Sequence, residues 1–97
     1  MKFEWDATKN SRNIRKHGFS FEDAAAMFRE PLLVRADVRD DYAEKRWTGI
    51  GMIQGRFALV VFVEVDGETI RFISLRKATH EERQEYEEAL RHGLETG

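Results

Sequence analysis

The chain has 97 residues, which is the length of one compact domain, and a net charge of −2. Hydrophobic residues make up 41% of the chain and charged residues 35%, so we expect a buried core beneath a strongly ionic surface. Cysteine is absent, which excludes disulfides, thiolate metal sites and cysteine nucleophiles, and suits a reducing cytoplasm.

The charges are distributed unevenly along the chain. Residues 1–18 hold five Lys and Arg against two acids, whereas residues 79–97 hold two Arg against six Glu. Such a polarised molecule can offer one face to an anion and another to a basic partner. No apolar run approaches the ~20 residues of a membrane helix. Residues 1–10 lack the apolar segment of a signal peptide. We therefore expect a cytoplasmic protein without a membrane partner.

The first part of the chain predicts a short strand and two helices. Residues 3–6 alternate apolar and acidic side chains, which is typical of a half-buried strand. Asp6 is a favourable N-cap for a helix over residues 7–17, and Gly18 ends it. Ser20 caps a second helix, which carries an apolar stripe at helical spacing: Phe21, Ala24, Ala25 and Phe28.

Four strands and a last helix follow. The strands are predicted over residues 32–38, 45–53, 56–65 and 68–77, with a polar loop at residues 39–44. Gln54-Gly55 and Asp66-Gly67 are hairpin turns, so the four strands should run antiparallel. Thr79 and Glu82 form a T-x-x-E capping box, which begins a helix that extends to about residue 92. The order β-α-α-β-β-β-β-α predicts an α+β fold, with an antiparallel sheet packed against helices in one domain over residues 1–97.

The first helix concentrates positive charge. Its cations and its terminal histidine are Lys9, Arg12, Arg15, Lys16 and His17. This helix is either a solvated surface or a stripe that binds the phosphates of a nucleic acid, because clustered cations gain affinity by releasing counterions. His17 either caps the last carbonyls of the helix or exchanges protons with a substrate.

Three arginines of the predicted strands are candidates for a site: Arg46, Arg71 and Arg76. Strict alternation puts Ser74 and Arg76 on one face of the last strand. The opposite face would carry Arg71, Ile73, Leu75 and Lys77. Each strand arginine either pairs with a carboxylate such as Glu44 or Glu64, or contributes to a cationic floor that binds a phosphate through paired hydrogen bonds.

Two potential metal motifs are incomplete. Residues 80–84, "HEERQ", lack the second histidine of H-E-x-x-H. Residues 37–41, "DVRDD", lack the glycine and glutamate spacing of a calcium loop. We therefore expect neither a metal nor another cofactor.

Three stretches resemble the BrnT family, ribonuclease toxins of bacterial type II toxin–antitoxin pairs. They are "FEWDATKNSRNIRKHGFSFEDAAAMF", "EKRWTGIG" and "IRFISLRKATHEERQEYE", in the order and at the spacing of the family. Leu75 stands where many relatives have alanine, which changes packing and no reactive group. The resemblance implies a RelE-like fold and a metal-free ribonuclease that arrests translation. It also implies a BrnA-like antitoxin with a ribbon-helix-helix DNA-binding part. Toxin and antitoxin would form a heterotetramer. Only this complex would bind DNA, and it would repress its own operon.

Metal-free RNA cleavage needs a base, an acid and cations for the phosphate. On this resemblance we expect Arg46 and Arg76 to hold the scissile phosphate, and His17 or Glu44 to move the proton. The predicted RNA-binding residues are Lys9, Arg12, Lys16, Lys77 and Arg71. Tyr86 either stacks on a base or, as its helical spacing favours, packs in the core. The alternatives are a non-catalytic nucleic-acid-binding or corepressor module, and an interaction domain whose acidic last helix docks a basic partner.

Overall fold

The computed structural model describes residues 1–38 and 44–93. Its elements follow the predicted order: β1(Lys2–Glu4), α1(Ala7–His17), α2(Phe21–Met27), β2(Leu33–Asp37), β3(Arg46–Ile53), β4(Arg56–Asp66), β5(Thr69–Lys77) and α3(His80–Arg91). Of the predicted polar loop at residues 39–44, residues 39–43 lie outside the described residues. No helix in the described part of the chain is long and apolar enough to cross a membrane.

The strands form one sheet in the order β1-β5-β4-β3-β2. The strands β2 to β5 pair antiparallel with their neighbours, as predicted. The sheet has a fifth strand whose pairing was not predicted, because β1 joins the edge of β5 in parallel. No hairpin joins these two strands. Instead, the ring of Phe3 in β1 stacks on the ring of Phe72 in β5, with centroids 5.4 Å apart, and this contact helps to hold the edge strand in place.

The local signals at the helix ends are confirmed. The Asp6 side chain accepts a hydrogen bond from the Lys9 backbone N–H at 3.0 Å, and Gly18 ends α1 at a φ of 75°. Thr79 and Glu82 form the reciprocal capping box of α3. These caps fix where each helix begins or ends, and so they fix the directions of His17 and of the first turn of α3.

Helices cover both faces of the sheet. The larger core packs α1 and α2 on one face and centres on the fully buried side chains Phe19, Phe21, Phe72 and Leu75. A second cluster beneath α3 contains Ile50, Leu59, Val61, Ala78 and Tyr86. Tyr86 is 3% exposed, so it belongs to the core, as its spacing favoured.

The predicted strict alternation along β5 is wrong, because a β-bulge interrupts the ladder. Phe72 pairs with Phe62 and Ser74 pairs with Val61, which leaves Ile73 as the extra residue. Ile73 therefore packs with the cluster beneath α3, whereas Leu75 packs with Phe72 in the larger core. Beyond the bulge, Arg76 and Lys77 point to opposite sides of the sheet.

Candidate active site

A pocket of about 610 Å³ lies where the end of α1, the β3–β4 turn and the β5–α3 junction meet. Its polar lining comes from three separate parts of the chain. We call it the basic pocket and define it by the side chains that can carry positive charge: His17, Arg56, Lys77, His80 and Arg83.

His17 reaches the basic pocket because α1 is fastened to β5 just before its last turn. Asn13 is 8% exposed, and its side-chain amide donates to the Leu75 carbonyl at 2.7 Å and accepts from the Leu75 N–H at 3.1 Å. The same Nδ2 donates to the Phe19 carbonyl at 3.0 Å. Lys77 follows two residues after Leu75, so this contact brings the end of α1 and the end of β5 together.

Arg56 enters the pocket from the beginning of β4. The preceding turn places Gln54 at a φ of 48° and Gly55 at 81°, a backbone that sharply reverses the chain. The Arg56 guanidinium carbon lies 4.2 Å from the centroid of the Phe19 ring. This cation–π contact directs the long side chain across the pocket wall.

His80 and Arg83 enter from the first turn of α3. Thr79 caps the helix, so His80 is its first residue and Arg83 lies one turn later. The Arg83 guanidinium carbon lies 4.4 Å from the centroid of the Phe57 ring, and Arg83 Nε donates to Glu87 at 3.2 Å. The capping box and the ring therefore orient the two side chains toward the pocket.

The charge of the basic pocket suits an anion. Three permanent cations and two imidazoles line it, and no Asp or Glu is among its described lining residues. A phosphate gains charge-assisted hydrogen bonds from such groups, and guanidinium binds it through paired donors. Imidazole also exchanges protons near neutral pH, which the other cations of the pocket do not.

A second depression, of about 320 Å³, lies between the sheet and α3. We call it the α3 groove and define it by its charged lining: Arg35, Asp37, Arg76, Glu82 and Glu85. Arg76 donates to both carboxylate oxygens of Glu82, at 2.8 and 2.9 Å, and Arg35 pairs with Glu85. The hydrogen bonds from Arg76 hold the pKa of Glu82 below its usual value. Three carboxylates against two guanidiniums make this groove a poorer phosphate site than the basic pocket.

The structure divides the predicted catalytic residues between different places. His17 lines the basic pocket together with the predicted RNA-binding residue Lys77, whereas Arg76 lines the α3 groove. Arg46 begins β3 in register with Asp37, and Glu44 is exposed two residues earlier; neither lines either pocket. Arg46 and Arg76 therefore do not meet in the basic pocket or in the α3 groove, the two depressions described above.

The other predicted RNA-binding residues lie outside both pockets. Lys9, Arg12 and Lys16 are exposed on α1. Arg71 pairs across the β1–β5 edge with Glu4 at 3.0 Å. The carboxylate partners of Arg71 and Arg76 are therefore Glu4 and Glu82, where the sequence suggested Glu44 or Glu64.

Three lining residues of the basic pocket were not predicted from the sequence: Arg56, His80 and Arg83. Arg56 was considered only as the residue that follows a hairpin turn. His80 and Arg83 were considered only as part of the incomplete H-E-x-x-H motif at residues 80–84. Their shared pocket depends on contacts between elements, which no single stretch contains. Among the described residues, no group of three or more His, Asp or Glu side chains is placed to hold a metal ion.

Comparison with known proteins agrees with this architecture. The family model described as the ribonuclease toxin BrnT of type II toxin–antitoxin systems matches residues 5–82. The 1.1 Å crystal structure of the Brucella abortus ribonuclease toxin BrnT is 33% identical, with a TM-score of 0.67, over 82% of this chain and 99% of that one. No curated protein matches the sequence.

These matches and the order of elements fit the expected RelE-like α+β fold. A ribonuclease toxin acts on RNA, and a type II system pairs its toxin with a protein antitoxin. The chain belongs to the BrnT family of ribonuclease toxins of type II toxin–antitoxin systems.

Proposed function

We propose that this toxin cleaves RNA without a metal ion, and that cleavage takes place in the basic pocket. The observation that carries the proposal is the convergence of two imidazoles, His17 and His80, with the cations Arg56, Lys77 and Arg83. The absence of a carboxylate from the described lining supports an anionic substrate there.

The proposed reaction is an attack of the ribose 2′-hydroxyl on the adjacent phosphate. One imidazole, in its neutral form, takes the hydroxyl proton, and the other, as imidazolium, gives a proton to the departing 5′-oxygen. The products are a 2′,3′-cyclic phosphate and a 5′-hydroxyl. Lys77 and the two arginines stabilise the extra negative charge of the pentacoordinate phosphorane.

The exposed cations of α1 would guide the rest of the RNA to this pocket. Lys9, Arg12 and Lys16 lie on the helix that ends at His17, so a backbone bound along them leads to the pocket. The catalytic roles of Arg46, Arg76 and Glu44 and the RNA-binding role of Arg71 stay predictions. The bidentate contact between Arg76 and Glu82 in the α3 groove supports a structural role for Arg76.

We further propose that the chain acts as one toxin domain in the cytoplasm, where RNA cleavage arrests translation. Its antitoxin would be a BrnA-like protein with a ribbon-helix-helix part, which forms a heterotetramer with the toxin and represses the operon. DNA would bind only through that complex. The family supports a protein antitoxin, and the six Glu among residues 79–97 suit a basic partner segment.

The test is incubation of the purified toxin with RNA in EDTA, with separation of the products. We expect cleavage to persist, and His17→Asn and His80→Asn each to slow it by about 10²-fold or more. His92→Asn is the matched control, because His92 lies at the other end of α3 and should leave the rate unchanged.

Each contrary result has a distinct meaning. Loss of cleavage in EDTA would show a metal requirement. Full activity in both histidine variants would place the reaction elsewhere. Binding of RNA without products would favour the non-catalytic nucleic-acid-binding or corepressor module.

A further inference from the structure

We propose that Arg56 and Arg83 act as stacking platforms for unpaired bases, so that the basic pocket selects single-stranded RNA. This inference rests on the proposed function in that it takes the basic pocket as the RNA site. It adds that the two arginines recognise the faces of bases, beyond the charge of the phosphates.

The first platform is Arg56 on Phe19. The guanidinium carbon lies 4.2 Å from the ring centroid, and Phe19 is 1% exposed. A base therefore cannot reach the Phe19 ring, but it can reach the exposed guanidinium that lies over it. The phenyl ring supports one side of the cation, and the other side is available for a second π system.

The second platform is Arg83 on Phe57. Here the guanidinium carbon lies 4.4 Å from the ring centroid, and the ion pair from Nε to Glu87 at 3.2 Å fixes the side chain further. Phe57 is itself held edge-on against the buried Tyr86, with ring centroids 5.9 Å apart. Arg83 is thus held from two sides, and it loses little conformational freedom when a base binds.

The two platforms share one pocket with the groups proposed for the chemistry. Arg56 comes from β4 and Arg83 from α3, and Lys77, His17 and His80 line the same space. A phosphate held by Lys77 and the histidines would have its neighbouring bases within reach of the two guanidiniums. The volume of about 610 Å³ lies within the range of ordinary ligand sites.

This arrangement discriminates against double-stranded RNA for a geometric reason. In an A-form duplex the base faces are covered by their neighbours, and side chains do not reach the bases through the deep, narrow major groove. Unpaired bases expose their faces, and stacking accepts every base because each one has a π face. We therefore expect a strong preference for unpaired RNA and a weak preference for sequence.

The experiment measures binding of the wild-type protein to fluorescently labelled 2′-O-methyl RNA, in EDTA, by anisotropy. The methylated 2′-oxygen cannot attack the phosphate, so binding is measured without cleavage. We compare a single strand, its blunt duplex, and a single strand with abasic sites. We expect the wild type to bind the single strand at least tenfold more tightly than either of the others.

Arg56→Lys and Arg83→Lys keep the charge and remove the planar cation. Each should lower single-strand affinity by about tenfold and leave duplex affinity unchanged. Arg91→Lys is the matched control, because Arg91 is an exposed arginine at the end of α3 and outside the pocket. Equal affinity for single strand and duplex, or unchanged single-strand affinity in both lysine variants, would overturn the inference.

The outcomes separate this inference from the proposed function. Cleavage that depends on the histidines, without a preference for unpaired RNA, would leave the ribonuclease site in place and remove the stacking role. A stacking preference without cleavage would leave the platforms in place and remove the proposed catalysis.

Discussion

Asn13 of α1 binds both main-chain groups of Leu75 in β5, at 2.7 Å to the carbonyl and 3.1 Å from the N–H. A single side chain thus takes the place of a strand neighbour and joins the first helix to the last strand. The two residues are 62 positions apart, and each is followed within four residues by a side chain of the basic pocket, His17 or Lys77.

Replacing Asn13 should therefore affect both stability and activity. Asn13→Ala leaves the Leu75 N–H and two buried carbonyls without their partner, and we expect a loss of about 3 kcal/mol in the free energy of unfolding, measured in urea. Arg12→Ala, on the exposed side of the same helix, should cost less than about 0.5 kcal/mol. If Asn13→Ala were as stable as the wild type, the contact would have no role in joining the two elements.

Arg76 and Lys77 are adjacent but should respond differently to substitution. Lys77→Met should lower RNA cleavage by about 10²-fold with an unchanged free energy of unfolding, because the pocket loses a cation at the proposed phosphate site. Arg76→Met should mainly lower the free energy of unfolding, by about 2 kcal/mol, because Glu82 loses its bidentate partner.

Rates measured well below the unfolding temperature separate the two effects. A folded Arg76→Met protein that no longer cleaves RNA would restore the hypothesis that Arg76 holds the scissile phosphate.

The ion pair of Glu82 predicts a dependence of stability on pH. Hydrogen bonds from Arg76 lower the folded-state pKa of Glu82 below its usual value of 4.5, despite partial burial, and the Thr79 N–H contributes further. A lowered folded pKa stabilises the protein fully above the unfolded value, and the effect is lost as pH falls through the folded value.

We therefore expect wild type to be more stable than Glu82→Gln, by about 1–2 kcal/mol, from pH 7 down to about 5. The difference should shrink as the pH falls below 4.5. Chemical unfolding at a series of pH values measures it, and the exposed Glu64→Gln is the control. A difference that stays constant down to pH 3 would contradict this assignment.

Gly51 in β3 lies where the core leaves little space for a side chain. A Cβ there would lie 3.1 Å from Leu32 Cδ1 and 3.3 Å from Met27 Cε, both in the buried core. Gly51→Ala should therefore destabilise the protein by about 1–2 kcal/mol, seen as a lower midpoint of thermal unfolding. At Gly67 a Cβ would meet nothing within 4 Å, so Gly67→Ala should be nearly neutral. Equal midpoints for the two variants would show that Leu32 and Met27 can shift freely.

The elements and their boundaries were predictable from short stretches of sequence. The caps at Asp6, Ser20 and Thr79 and the turn at Gln54-Gly55 each depend on groups within a few residues of one another. The two hairpin turns then required β3, β4 and β5 to pair as neighbours. The parallel pairing of β1 was missed, because it depends on an aromatic contact between Phe3 and Phe72, which are far apart in the chain.

The proposed site was predicted only in part, because its residues come from three separate parts of the chain. His17 and Lys77 were proposed from their chemistry, and both line the basic pocket. The side of the sheet on which Arg76 lies could not be predicted from the sequence. The bulge at Ile73 reverses the side of every later residue in β5.

The sequence by itself determined the order of the elements, the helix ends, the hairpins and the BrnT family, because those follow from local hydrogen bonding and from the family motifs. Only the tertiary structure decided that Glu82 neutralises Arg76 and that Arg56, His80 and Arg83 join His17 and Lys77 in one pocket. The physical reason is that a charged group acquires its role from the groups that face it across the fold, and burial and register place those groups together.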